Sequence, residues 1–200
     1  MKYFVFVAFF SLLFLAIGCS NSSSSEETET TSGSSTEETQ ETNVESKSEQ
    51  NIRGAIEATF NGPDEKLKET LNLLENTDFE SEEYKKHLNN YAEHFEQHYK
   101  PYVTEKFYEA SFIKSPDADY FIKAAYPDGQ LNTESISLEE KDGYYTFSAE
   151  VSYTETTSDE TKTIEIKGNA QTNEDEKVNS IQYINSDELY QVIKEMGATS

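Results

Sequence analysis

At 200 residues the chain has room for one domain of ordinary size plus extensions, and 39 acidic against 16 basic residues give it a formal net charge of −23. That balance excludes a nucleic-acid binder and direct adsorption on anionic lipid, because both need basic patches. A single cysteine leaves no intrachain disulfide, so the folded part rests on its apolar core.

The chain opens Met1-Lys2-Tyr3 and continues in an almost unbroken apolar run from Phe4 to Ile17. Spanning a bilayer takes about 20 apolar residues, so this run reads as the apolar region of a secretory signal rather than as a transmembrane helix. It ends Leu15-Ala16-Ile17-Gly18-Cys19, with Ala16 in the place that most lipoboxes give to leucine. This ending resembles the lipobox of bacterial lipoprotein precursors. The resemblance implies a signal peptide over residues 1–18, diacylglyceryl transfer to the Cys19 thiol, cleavage between Gly18 and Cys19, and a lipid-anchored protein on the extracytoplasmic face of the cell membrane. Residue usage rich in Lys, Asn, Glu and Ile suggests a Gram-positive, low-GC source.

From Ser20 to Gln50 there is no aromatic residue and one aliphatic, Val44, among Ser, Thr and Glu. Such a stretch buries too little apolar surface to offset the entropy of ordering its backbone, so residues 19–50 are expected to be lipidated Cys19 followed by a disordered tether. As a flexible coil it would reach roughly 30 Å, and more when swollen by its glutamates.

Helical periodicity is expected from Asn51, with Ile52, Ala55, Ile56, Thr59 and Phe60 on one face and Asn61-Gly62-Pro63 ending the run. A second helix starts at Pro63 or Asp64 and turns Leu67, Leu71 and Leu74 inward. Ser81 caps a third, whose Tyr84, Leu88, Tyr91, Phe95, Tyr99 and Tyr102 form an apolar stripe. Pro101 breaks it, and Val103 to Phe112 continues with Val103, Phe107 and Ala110 inward. A short helix from Ala118 to Tyr126 stops at Pro127-Asp128-Gly129.

The period then becomes alternating. Ile136 and Leu138 lead to Asp142-Gly143, a favoured hairpin pair, and Tyr145, Phe147, Ala149, Val151 and Tyr153 occupy every second position beyond it. A third strand carries Ile164 and Ile166, with a bulge or bend expected at Gly168. Asn173 to Lys177 turns the chain into a fourth, Val178 to Ile184, with Ile181 and Tyr183 on its apolar face. Ser186-Asp187 opens a terminal helix.

Helices followed by a strand meander read as α+β: N-terminal helices packed on a curved four-stranded antiparallel sheet over residues 51–200. The order of helices, the break at Gly62-Pro63, the long aromatic helix and the hairpin-linked strands resemble the NTF2-like (cystatin-like cone) superfamily. The resemblance implies a cone interior that is catalytic in some members and a binding or assembly surface in others. In a catalytic member, one of Tyr91, Tyr99, Tyr145 or Tyr153 would donate to a developing enolate oxygen, with Glu150 or Asp119 as base. Glu150 alternates with the apolar positions and is expected to face solvent.

All three histidines lie on the third helix. His94 and His98 stand at the spacing that lets two imidazoles meet one metal ion, whereas His87 and His98 are about 16 Å apart along the axis and cannot share one. No third ligand is legible, so the expected reading is histidines bordering the core with their ring nitrogens in water. Asp117, Asp119 and Glu174-Asp175-Glu176 read as solvated loops. No motif calls for a cofactor. The function these features point to is a non-catalytic domain that binds a small ligand or an envelope protein; the alternatives are an assembly subunit of an envelope complex and, behind it, a pocket enzyme.

Overall fold

The computed structural model describes residues 45–197, so the leader, Gly18, Cys19 and the tether as far as Val44 lie outside the described residues. The helices are α1 (Lys47–Phe60), α2 (Glu65–Asn76), α3 (Glu82–His98), α4 (Glu105–Tyr108), α5 (Tyr120–Ala125) and α6 (Ser186–Gly197). A 3₁₀ turn, Lys100–Tyr102, separates α3 from α4, and a π turn, Glu109–Lys114, follows α4. The strands are β1 (Gly129–Lys141), β2 (Tyr144–Glu155), β3 (Thr161–Thr172) and β4 (Val178–Tyr183), an open antiparallel meander in that order. The architecture is α+β, helices first and sheet after. Among the described residues no helix is long and apolar enough to cross a membrane.

Helix α1 is the buried axis of the fold. Ile52, Ala55, Ile56 and Phe60 are fully buried, each large side chain contributing about 1.5–3 kcal/mol by leaving water. It starts at Lys47, ahead of the expected Asn51, so residues 45–50 belong to the folded part and not to the tether. Composition hid this, because the first turn is polar and is held by hydrogen bonds. Ser46 and Glu49 form a reciprocal capping box, Ser48 Oγ lies 3.1 Å from Thr172 Oγ1, and Asn51 Nδ2 donates to the Glu176 carbonyl at 2.8 Å.

The α2 and α3 caps fall where their sequences place them, on Asp64 and Ser81. The stripe on α3 is shorter than expected. Tyr91, Phe95 and Tyr99 are buried, but Leu88 is 48% exposed, as is Phe79 at 72% in the α2–α3 connection. Helix α3 packs chiefly on α2, and Leu88 stays half in water beside that contact.

Beyond Pro101 the structure departs from the expected helix. The π turn adds a residue to one turn and advances the helical phase, so Ser111 points inward while Ala110, expected inward, is exposed.

The sheet follows the alternation. Tyr145, Phe147, Ala149, Val151 and Tyr153 are buried on one face of β2, opposite Ala170, Gly168, Ile166 and Ile164 of β3 and Leu138, Ile136 and Leu131 of β1. Asp142 and Gly143 both take positive φ, 49° and 85°, as a two-residue hairpin requires. Gly168 is not a bulge. It pairs in register with Phe147 and Tyr183, and a side chain there would collide with the Phe147 ring; the β3 irregularity lies at Gln171/Thr172.

Candidate functional site

A cavity of about 360 Å³ lies between α1, the end of α3, the π turn, the approach to α5 and the junction of β4 with α6. That size is within the roughly 300–1,000 Å³ of small-molecule pockets. Its inner wall brings together Thr59, Tyr99, Ser111 and Tyr183; Asp117, Tyr120 and Asp187 also line it and are exposed at its rim. Tyr99 arrives as the C-cap of α3, Ser111 through the phase advance of the π turn, and Tyr183 by alternation on β4.

The hydroxyls are wired in a definite sense. Ser111 donates to the Phe107 carbonyl at 2.7 Å, which leaves its oxygen to accept from the Tyr99 hydroxyl at 3.4 Å. Thr59 donates to the Ala55 carbonyl at 2.9 Å and accepts from Tyr183 at 3.3 Å. Both tyrosine protons are thus committed to the wall, and both phenol oxygens keep lone pairs. Burial pushes the Tyr99 phenol up to about 12, with the Asp117 charge adding to the rise. Burial likewise raises Tyr183. Both rings are neutral at physiological pH. Tyr183 is held edge-on by Phe60 and Phe147, at centroid distances of 5.1 and 5.8 Å.

The other tyrosines named from the sequence fare differently. Tyr91, Tyr145 and Tyr153 are all buried, but none lines the cavity. Glu150 is exposed and accepts from Ser135 at 2.9 Å. Asp119, read as part of a solvated loop, is only 2% exposed. Its Oδ2 accepts from the Tyr91 hydroxyl at 2.5 Å and from Lys123 Nζ at 2.8 Å, and that ammonium lies 5.1 Å above the Tyr91 ring. Burial first, and the Asp119 hydrogen bond second, hold the Tyr91 phenol protonated. The carboxylate and tyrosine that an enzyme reading paired are therefore adjacent, but tied to each other and to a lysine rather than turned toward the cavity.

His94 and His98 meet as expected from their spacing, with ring centroids 4.6 Å apart, and line a separate cleft beside Glu57 and Asp64. Burial and the neighbouring His98 lower the pKa of His94. Among the described residues no group of three or more His, Cys, Asp or Glu side chains is placed to hold a metal ion. His87 corrects the expectation of a ring in water. It is 7% exposed, and neither ring nitrogen has a hydrogen-bond partner among the described residues.

Sequence reasoning did not single out Thr59 and Ser111 as pocket residues. Thr59 carried the signal of a hydroxyl inside an apolar helical face; Ser111 carried none, because its direction depends on the π turn. No family model, curated protein or solved structure matches this chain.

Proposed function

We propose that the chain is a lipoprotein, anchored through lipid on Cys19 at the extracytoplasmic face of the cell membrane, whose NTF2-like domain binds a small ligand without transforming it. The anchor is supported by the apolar leader that ends Gly18-Cys19. Ligand binding rests on the tyrosine-lined cavity. Its wall hydroxyls are neutral and preset, and the one buried carboxylate nearby, Asp119, is paired elsewhere. Such an arrangement suits recognition: the wall presents lone pairs to a ligand's donors, and the buried Asp119 carboxylate is already held by Tyr91 and Lys123.

Two experiments test this reading. Metabolic labelling with an alkyne fatty acid should tag the wild-type chain and leave Cys19→Ala unlabelled; an unlabelled wild type ends the anchor proposal. In a small-molecule screen on the full-length protein in detergent, hits should shift the thermal midpoint of wild type and not of Ser111→Leu, which fills the cavity. Equal shifts in both place binding elsewhere.

A further inference from the structure

The cavity's chemistry narrows its ligand, on the premise that it is a ligand site at all. Its inner oxygens offer lone pairs, since the protons of Tyr99, Tyr183, Ser111 and Thr59 are all engaged in the wall. Carboxylates of Asp117 and Asp187 also line it, and among the described residues no lysine or arginine does. The polarity is thus that of acceptors and negative charge, which a ligand must meet with N–H donors and positive charge.

The rim adds aromatic faces. Tyr120 is 42% exposed and packs against Tyr190 at 5.4 Å and edge-on to Phe121 at 5.1 Å. Tyrosine faces attract cations, and the overall charge of −23 raises the local concentration of any cation near the surface. Deeper in, Phe107, Phe121 and Ile181 supply an apolar lining. An anion would meet two carboxylates with no basic side chain on the wall to compensate. The α6 N-terminus does not reverse this, because its own Asp187 and Glu188 already face its positive end.

We infer that the cavity is selective for small organic cations: a protonated amine on an apolar body. The ammonium meets the rim carboxylates of Asp117 and Asp187, the apolar body lies against Phe107 and Phe121, and any further N–H of the ligand meets the tyrosine oxygens.

Three probes that share one apolar body and differ in charge test this: 2-phenylethylamine, 2-phenylethanol and 3-phenylpropanoate, titrated calorimetrically into the full-length protein in detergent. The amine should bind about tenfold more tightly than the alcohol at low salt, the anion most weakly, and the gap should shrink as salt rises. Asp117→Asn/Asp187→Asn, at two exposed positions, should bring the amine to the level of the alcohol and leave the alcohol unchanged. Ser111→Leu should weaken amine and alcohol alike. If the alcohol or the anion binds as tightly as the amine, cation selectivity falls and the pocket reading stands. If the amine advantage survives the double variant, the assigned carboxylates are wrong and the inference falls. Should none of the three bind, both the inference and the pocket reading fail.

Discussion

Tyr91, Phe95 and Phe112 close on one another, with ring centroids 4.8 to 6.1 Å apart and the Tyr91 hydroxyl 2.5 Å from a carboxylate oxygen. Tyr99, two turns further along the same stretch of chain, meets Tyr183 across about 360 Å³ of open space, and their hydroxyls reach wall oxygens only at 3.4 and 3.3 Å. The two regions use the same residue types from neighbouring elements. One is filled, with its phenol and lysine both tied to Asp119 Oδ2; the other is held open with its phenol lone pairs unclaimed. An aromatic stripe along a helix therefore fixes which side chains turn inward without fixing whether they touch.

If this contrast is right, substitutions in the closed cluster should cost stability and substitutions in the cavity should not. Phe95→Ala removes a ring that is 1% exposed, stacked on Phe112 and tilted against Tyr91, and should lower unfolding free energy by about 3–5 kcal/mol in urea titration. Asp119→Ala comes next. It leaves the buried Tyr91 hydroxyl without its acceptor and Lys123 without its partner, a loss of about 1–3 kcal/mol by the same measurement. Tyr99→Phe gives up only a long hydrogen bond and should change stability by less than about 1 kcal/mol, while altering binding of any ligand that uses the phenol oxygen. A Tyr99→Phe cost as large as that of Phe95→Ala would erase the distinction.

The smallest effect is visible only in alkali. With the Tyr99 phenol raised to about 12, folding keeps it neutral. Its contribution is complete below the ordinary phenol value near 10 and is lost as pH rises through about 12. Tyr91 and Tyr183 are raised as well, so ultraviolet titration should show one fewer late-ionising tyrosine in Tyr99→Phe than in the wild type. Ionisation of Tyr99 with the exposed tyrosines would mean that water already fills the wall.

Much of the scaffold was legible because it depends on local pattern. The alternation from Tyr145 to Tyr153 assigns the buried face of β2 residue by residue, Asp142-Gly143 sets the hairpin, and Asp64 and Ser81 start α2 and α3 where their side chains can accept backbone N–H groups. What failed depends on neighbours. Leu88 lies on the expected stripe but no element covers it, Lys47 to Gln50 is polar yet helical because Thr172 and Glu176 hold it, and Ser111 faces the cavity through a π turn that its sequence does not announce. The carboxylate of Asp119 looked like loop chemistry because its partners, Tyr91 and Lys123, come from two different helices. Among the His residues, spacing placed His94 beside His98 but was silent about the burial of His87, which depends on how the helix seats against its surroundings.

The outer rim of β1 has already been claimed by the molecule itself. Gly62 exchanges both backbone hydrogen bonds with Leu131 at 2.8 and 3.0 Å, Asn61 accepts from the Thr133 amide at 2.6 Å, and the Arg53 guanidinium caps the Ile136 carbonyl. At the far side of the sheet, Thr104 donates to Val178 at 2.8 Å and occupies the first rung of β4. Unpaired rungs are what let one copy of a protein zip onto the next. Among the described residues, the rungs at Leu131, Thr133 and Ile136 of β1 and at Val178 of β4 are therefore closed to a second copy by the chain's own connecting segments and one arginine.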